Sequence, residues 1–253
     1  MPLALCINNN NKILSFNNKF HLSIDDVGSV LFEQYIDKQN TLSKFLLHTH
    51  EKYNCIWGLY FFTDWGSGSI FDFDISQLFD VRSVRVGCHA PEFAQKPFEL
   101  SAEENRKWIK AFYDQIATYN LQTSKIVRFH YYSELFECID VLCRNGVTGL
   151  FLTDRPAISY RLPEQIKVEL KRQRYQRYKG IDLFRTDFRL EWLKEEKLNK
   201  NDLIELFQPF KFTNTPLVIY GHEYEYRDPE MYLFTELVLQ VLVEDLGFTC
   251  MTP

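Results

Sequence analysis

With 253 residues, 45% of them hydrophobic and 16% aromatic, the chain is long enough to bury one large core and leaves little room for disorder. Its formal net charge of −5 excludes bulk electrostatic attraction to nucleic acid or an anionic membrane. No stretch approaches the roughly 18 apolar residues of a membrane span, and Met1 to Asn9 lacks a basic segment leading into a long apolar one, so a cytoplasmic protein is expected.

Residues 13–16 and Phe20 to Ile24 flank Asn17-Asn18, a pattern for a short hairpin leading into a first core strand that ends in Asp25-Asp26-Val27-Gly28. Helices are predicted over 29–37 and 41–53, a strand over the apolar run 55–62, and a loop over 63–69. A helix near 74–80 precedes a strand over 84–89. Ser101-Ala102-Glu103-Glu104 has the capping-box pattern and opens a helix to about Tyr119. A strand over 125–130, a helix over 133–144 and a strand over 149–154 follow. A basic helix is expected over 163–179, then an alternating strand over 183–190 that places Arg185, Asp187 and Arg189 on one face. The chain closes with a helix at 200–208, a strand at 216–222 and an amphipathic helix from Pro229 to Leu246, stopped by Gly247. Strands alternating with helices, without repeat or linker, predict an α/β fold. The form expected is a single domain over 1–253, an irregular (β/α) barrel of about seven parallel strands.

The polar residues fall in a pattern. Asp25 and Asp26, His89, Arg128 and His130, Asp154 and His222 each close a different predicted strand, and barrels gather their chemistry at the C-terminal ends of strands. Taken singly, each has an ordinary explanation. An Asp-Asp pair after a strand makes a turn and a helix cap, a lone histidine is commonly a hydrogen-bonded core residue, Arg128 serves as an ion-pair partner, and Asp154 caps a loop. Independent accidents should not all fall at the same ends of successive strands. His48 and His50 lie in a polar helix and His21 lies inside the first strand, so these three read as structural. The basic run 171–179 reads as a solvated helix face, with contact to an anionic substrate as the alternative. The six cysteines lack C-x-x-C spacing and are expected to be reduced.

The series Ser23-Ile24-Asp25-Asp26, Gly87-Cys88-His89, Arg128-Phe129-His130-Tyr131, Asp154 and Gly221-His222 resembles the ordered motifs of the NodB-homology polysaccharide deacetylases. The similarity is greatest to the divergent polysaccharide deacetylase-like branch found near bacterial surface-polysaccharide genes, and it runs from about residue 20 to 225. It implies a divalent metal, usually zinc, that activates water to hydrolyse an acetamide or acetyl ester on a sugar. It also implies Asp25 as general base, Asp26 and His89 as metal ligands, and Arg128 as the group that orients the base, with Asp154 as its ionic partner. Tyr131 would contribute a backbone N–H to the oxyanion hole, and His222 would be the general acid.

One departure matters. Four positions after His89 the family has a second histidine, where this chain has Phe93, and an aspartate with a single imidazole holds zinc weakly. His130, two residues beyond Arg128 on the same strand face, is expected to supply the missing ligand, with Glu92 as the alternative. The expected activity is deacetylation of an amino sugar, nucleotide sugar or lipid-linked glycan in surface-polysaccharide (O-antigen) assembly. Two competing readings use the same residues: a catalytically silent carbohydrate-binding protein on the same barrel, and a two-carboxylate glycosidase.

Overall fold

The computed structural model describes residues 16–153 and 162–253. The chain opens on β1 (Lys19–Val27), buried along nearly its whole length, followed by α1 (Ser29–Ile36), α2 (Thr41–Tyr53), β2 (Trp57–Asp64) and β3 (Val84–Glu92). Next come α3 (Ala102–Thr118), β4 (Ile126–Val127), α4 (Ile139–Arg144) and β5 (Gly149–Leu152). The second half runs through α5 (Glu164–Gln173), β6 (Tyr175–Tyr178), β7 (Ile181–Arg185), β8 (Phe188–Arg189) and α6 (Leu190–Glu195). It ends with α7 (Lys200–Phe207), β9 (Leu217–His222), α8 (Pro229–Gln240) and β10 (Thr249–Cys250).

One sheet has the order β3-β2-β1-β9-β8, with β10 also against β1, and the other has the order β4-β5-β7-β6. Every pairing is parallel except β6 with β7. The sheets meet at two seams. At one, β7 and β8 are separated only by Thr186 and Asp187, so a single bent stretch passes from sheet to sheet. At the other, Val86 N–H donates to the Gln122 carbonyl at 3.0 Å and Ser124 N–H to the Val86 carbonyl at 2.8 Å. Counting β7 and β8 as one, the ring is β1, β2, β3, β4, β5, β7/β8 and β9, the parallel barrel expected from the alternation of strands and helices.

The ring is tightly filled, and part of its filling is polar. Gly87 is required by close approach, since a Cβ there would lie 2.7 Å from the Tyr60 ring. Tyr60 in turn donates to the Ile126 carbonyl at 2.8 Å and meets His21 Nε2 at 3.3 Å. His21 stacks on Phe151 with ring centroids 4.3 Å apart, and burial, helped by the Arg128 charge, lowers its pKa and keeps it neutral.

Several boundaries differ from expectation. Residues 74–80 contain only a 3-10 turn, Ile75–Leu78, and the strand expected over 125–130 pairs only at Ile126–Val127. The basic helix expected over 163–179 stops at Gln173, because Arg174 turns left-handed at φ 62°. Residues 175–178 instead form β6, folded back on β7 through Lys179 (φ 49°) and Gly180 (φ 85°), a two-residue hairpin turn with both φ positive. The hairpin expected before Asn17 and the strand-end Asp154 fall at least partly outside the described residues. Cys55, Cys88 and Cys250 are free thiols, as expected, whereas Cys143 is disulfide-bonded. Among the described residues no helix is long and apolar enough to cross a membrane.

The charged strand resolves into separate tasks. The Asp187 side chain is buried and accepts from Arg174 Nε at 3.0 Å and from Val218 N–H at 2.9 Å, while Arg174 also donates to the Pro216 carbonyl at 2.9 Å. This cluster ties the β6 hairpin to β9. Replacing Arg174 by leucine should leave a buried carboxylate uncompensated and cost about 3–5 kcal/mol. Urea denaturation should show that loss as a lower midpoint at unchanged m-value.

Candidate metal centre and active site

Two β-bulges aim the polar residues of β1 and β3. In β1 the pairing with β2 shifts between Ile24↔Leu59 and Val27↔Phe61, so Asp25 and Asp26 together face one residue, and Asp26 adopts φ 57°. In β3 the pairing passes from Phe61↔Cys88 to Phe62↔Ala90, which leaves His89 as the extra residue. Alternation would otherwise send the two adjacent aspartates to opposite faces. A bulge re-aims one of them, so both line the same pocket.

Three donor atoms converge there. Asp26 Oδ1 lies 3.1 Å from His89 Nε2 and 3.2 Å from His130 Nδ1, and the two imidazole nitrogens are 3.2 Å apart. Tetrahedral bonds of 2.0–2.1 Å to a zinc ion place neighbouring ligand atoms about 3.3 Å apart, so the spacing fits a shared cation. Two further observations agree. Asp26 Oδ1 is buried without a hydrogen-bond partner, and His89 Nδ1 donates to the Arg128 carbonyl at 2.7 Å, which leaves Nε2 a bare lone pair facing the cluster. Burial works against charge on Asp26, but the adjacent imidazoles of His130 and His89 outweigh it and hold the carboxylate ionised. Burial lowers the pKa of His130 and favours the neutral, ligating ring. His130 Nε2, unlike His89 Nδ1, is buried with no hydrogen-bond partner. Glu92 is exposed and is not part of the cluster.

Asp25 lies beside this cluster. Arg128, 1% exposed, donates through Nη1 to both Asp25 oxygens at 2.9 and 3.1 Å and to Ser23 Oγ at 3.0 Å. The guanidinium also sits over the Tyr220 ring at 4.4 Å, an arrangement that fixes it from several sides. Asp154, the partner expected for Arg128, lies outside the described residues.

His222 follows from register: it is the β9 residue opposite Asp25. Its Nδ1 and its backbone N–H both meet Glu191 Oε1 at 2.7 Å, and Glu191 also contacts Arg189 Nε at 3.1 Å. Burial opposes charge on His222, but the Glu191 hydrogen bond and the nearby carboxylates outweigh it and raise its pKa. Tyr224 stacks on the imidazole at 5.2 Å and accepts from Arg189 Nη2 at 3.2 Å. Glu191 and Tyr224 were not singled out from the sequence as site residues; Arg189, read there as part of a charged strand face that either grips an anionic sugar group or forms an internal ion-pair network, pairs with Glu191.

The rim carries strain and aromatic surface. Tyr131 and Tyr132 take consecutive left-handed conformations at φ 53° and 51°, costly for residues other than glycine and typical of functional loops. Phe93 (65% exposed), Tyr131, Trp192 and Tyr224 line the mouth of the pocket.

No family model matches the sequence and no curated protein is similar to it. Solved structures do match. The chitin deacetylase from the fungal pathogen Colletotrichum lindemuthianum aligns over 93% of this chain and 85% of its own, with a TM-score of 0.56 and 10% identity. The family 4 carbohydrate esterase from Streptomyces lividans, in complex with acetate, aligns over 92% and 91%, with a TM-score of 0.52 and 12% identity. The 4-alpha-glucanotransferase from Thermococcus litoralis gives a TM-score of 0.59 at 11% identity, over 92% of this chain but 39% of its own. Proteins of different activity share this scaffold, so the reaction has to be argued from the side chains. What the likeness does show is architecture: this chain has the α/β fold of the family 4 carbohydrate esterases.

Proposed function

We propose that the chain is a metal-dependent deacetylase that hydrolyses an acetamide or acetyl ester on a sugar. The observation that carries this reading is the convergence of Asp26 Oδ1, His89 Nε2 and His130 Nδ1 in the pocket that also holds Asp25 and His222. Asp26, His89 and His130 would hold a divalent ion such as zinc, which would supply Lewis-acid polarisation and acidify water toward neutral pH. Asp25, fixed by Arg128, accepts the proton of the attacking water. The ring of His222, anchored at Nδ1 by Glu191, keeps Nε2 for protonating the departing nitrogen or oxygen as the acyl bond breaks. The Tyr131 backbone N–H stabilises negative charge developing on the carbonyl oxygen, and Asp154 assists Arg128; these two roles rest on the motif resemblance. The same resemblance supports an acetylated glycan of bacterial surface-polysaccharide assembly as the substrate.

A silent carbohydrate-binding protein is the second reading, favoured by Phe93 in place of a histidine and by the unpartnered His130 Nε2. Metal analysis of protein purified without a tag, together with acetate release from a panel of acetylated sugars, separates the two. The deacetylase reading expects about one divalent ion per chain, turnover lost to a chelator and regained with zinc, and turnover lost in Asp25→Asn. Sugar binding without acetate release from any substrate supports the silent protein. Failure to take up any divalent ion on titration overturns the metal site itself.

A further inference from the structure

Glu223 is fully buried and belongs to none of the roles above. It follows His222 directly, yet its carboxylate reaches α1, about 190 residues earlier in the chain. There Oε2 accepts from Val30 N–H at 2.9 Å and Oε1 from Leu31 N–H at 3.0 Å, with Ser29 Oγ at 3.4 Å. Those amides lie at the start of the helix that follows Asp25-Asp26-Val27-Gly28. Burial pushes the carboxyl up to about 7 in spite of these bonds, so the fold bears an electrostatic cost at this position.

The placement explains what that cost achieves. Asp26 is held at φ 57°, a conformation its own backbone disfavours, and so depends on fixed chain on both sides. Before it, Asp25 is paired with His222 across β1 and β9. After it, the chain is fixed where Gly28 packs against Trp65, with room for no Cβ (2.7 Å to the ring), and where α1 begins. The geometry points to Glu223 as a positioning residue that clamps the β1–α1 turn to the end of β9. It thereby holds Asp26 at the angle at which its oxygen joins those of His89 and His130.

The inference rests on the metal site proposed above, and zinc affinity tests both separately. In titrations well below the melting temperature of either protein, Glu223→Gln should bind zinc about 10-fold more weakly than wild type, the lower end of the range for groups that touch a ligand, because Glu223 acts on Asp26 only through the backbone of the turn. Zinc affinity within twofold of wild type, whatever happens to the melting temperature, overturns the clamp. If the wild type itself binds no zinc, the site reading fails first. Should Glu223→Gln not fold, the wild type still decides, because coupling is reciprocal. Zinc should slow hydrogen exchange at the Val30 and Leu31 amides by about tenfold or more, with α3 amides unchanged as the control. Unaltered exchange at Val30 and Leu31 overturns the clamp.

Discussion

His130→Ala is expected to weaken zinc binding by at least about 100-fold and to remove acetate release with it, because only Asp26 and His89 then remain and two ligands hold zinc poorly. The loss should exceed the 10–100-fold typical of residues one step behind a ligand. Phe93 allows a stricter test. It stands four residues after His89, and its ring lies 6.0 Å from that of His130, at the mouth of the same pocket. If the third ligand has moved from the turn after β3 to the turn after β4, a histidine restored at 93 should replace one lost at 130. The double variant Phe93→His/His130→Ala is therefore expected to recover at least about tenfold of the lost affinity, read by calorimetry, while Phe93→Leu/His130→Ala recovers none. Wild-type affinity in His130→Ala alone would falsify the assignment of His130 as a ligand.

The parts of this site that were legible in the sequence are those fixed by strand ends. Asp25, Asp26, His89, Arg128, His130 and His222 each follow an apolar run and lie near the C-terminal end of a strand, although β3 continues past His89 to Glu92, and a parallel ring brings such ends to one rim. The bulges at Asp26 and His89 were not legible. They depend on how β1 and β3 slip against β2, a property of neighbouring strands and not of either segment alone. Glu191 was hidden for the same reason: Arg189↔Tyr220 in β8 and β9 sets its approach to His222, and only that register turns an acid at the start of α6 toward an imidazole. The stretch 174–180 was misread because dense Arg and Lys suggested a helix, whereas Lys179-Gly180 is a hairpin turn. Attention to that dipeptide would have separated Arg174, which serves Asp187, from a solvated basic face.

His222→Ala is expected to lower kcat by about 10²–10⁴-fold on acetamides, the usual worth of a general acid. The loss should shrink on aryl acetates, whose leaving group departs without protonation; equal losses on both substrates would remove His222 from the acid role. Glu191 then decides the pH dependence. A general acid works only while protonated, so activity falls as pH rises through its pKa, and a raised pKa extends activity to higher pH. Burial opposes the charge on His222, and the Glu191 carboxylate does most to overcome it. Glu191→Gln preserves a hydrogen-bond acceptor for Nδ1 but removes the charge, leaving burial to dominate. The alkaline limb of kcat/KM should therefore move to lower pH, while the acid limb, set by the group that must be deprotonated, stays in place. Zinc affinity should stay near wild type, since Glu191 contacts neither Asp26 nor the two ligand histidines. An alkaline limb that does not move would mean that Glu191 orients the ring without tuning its charge.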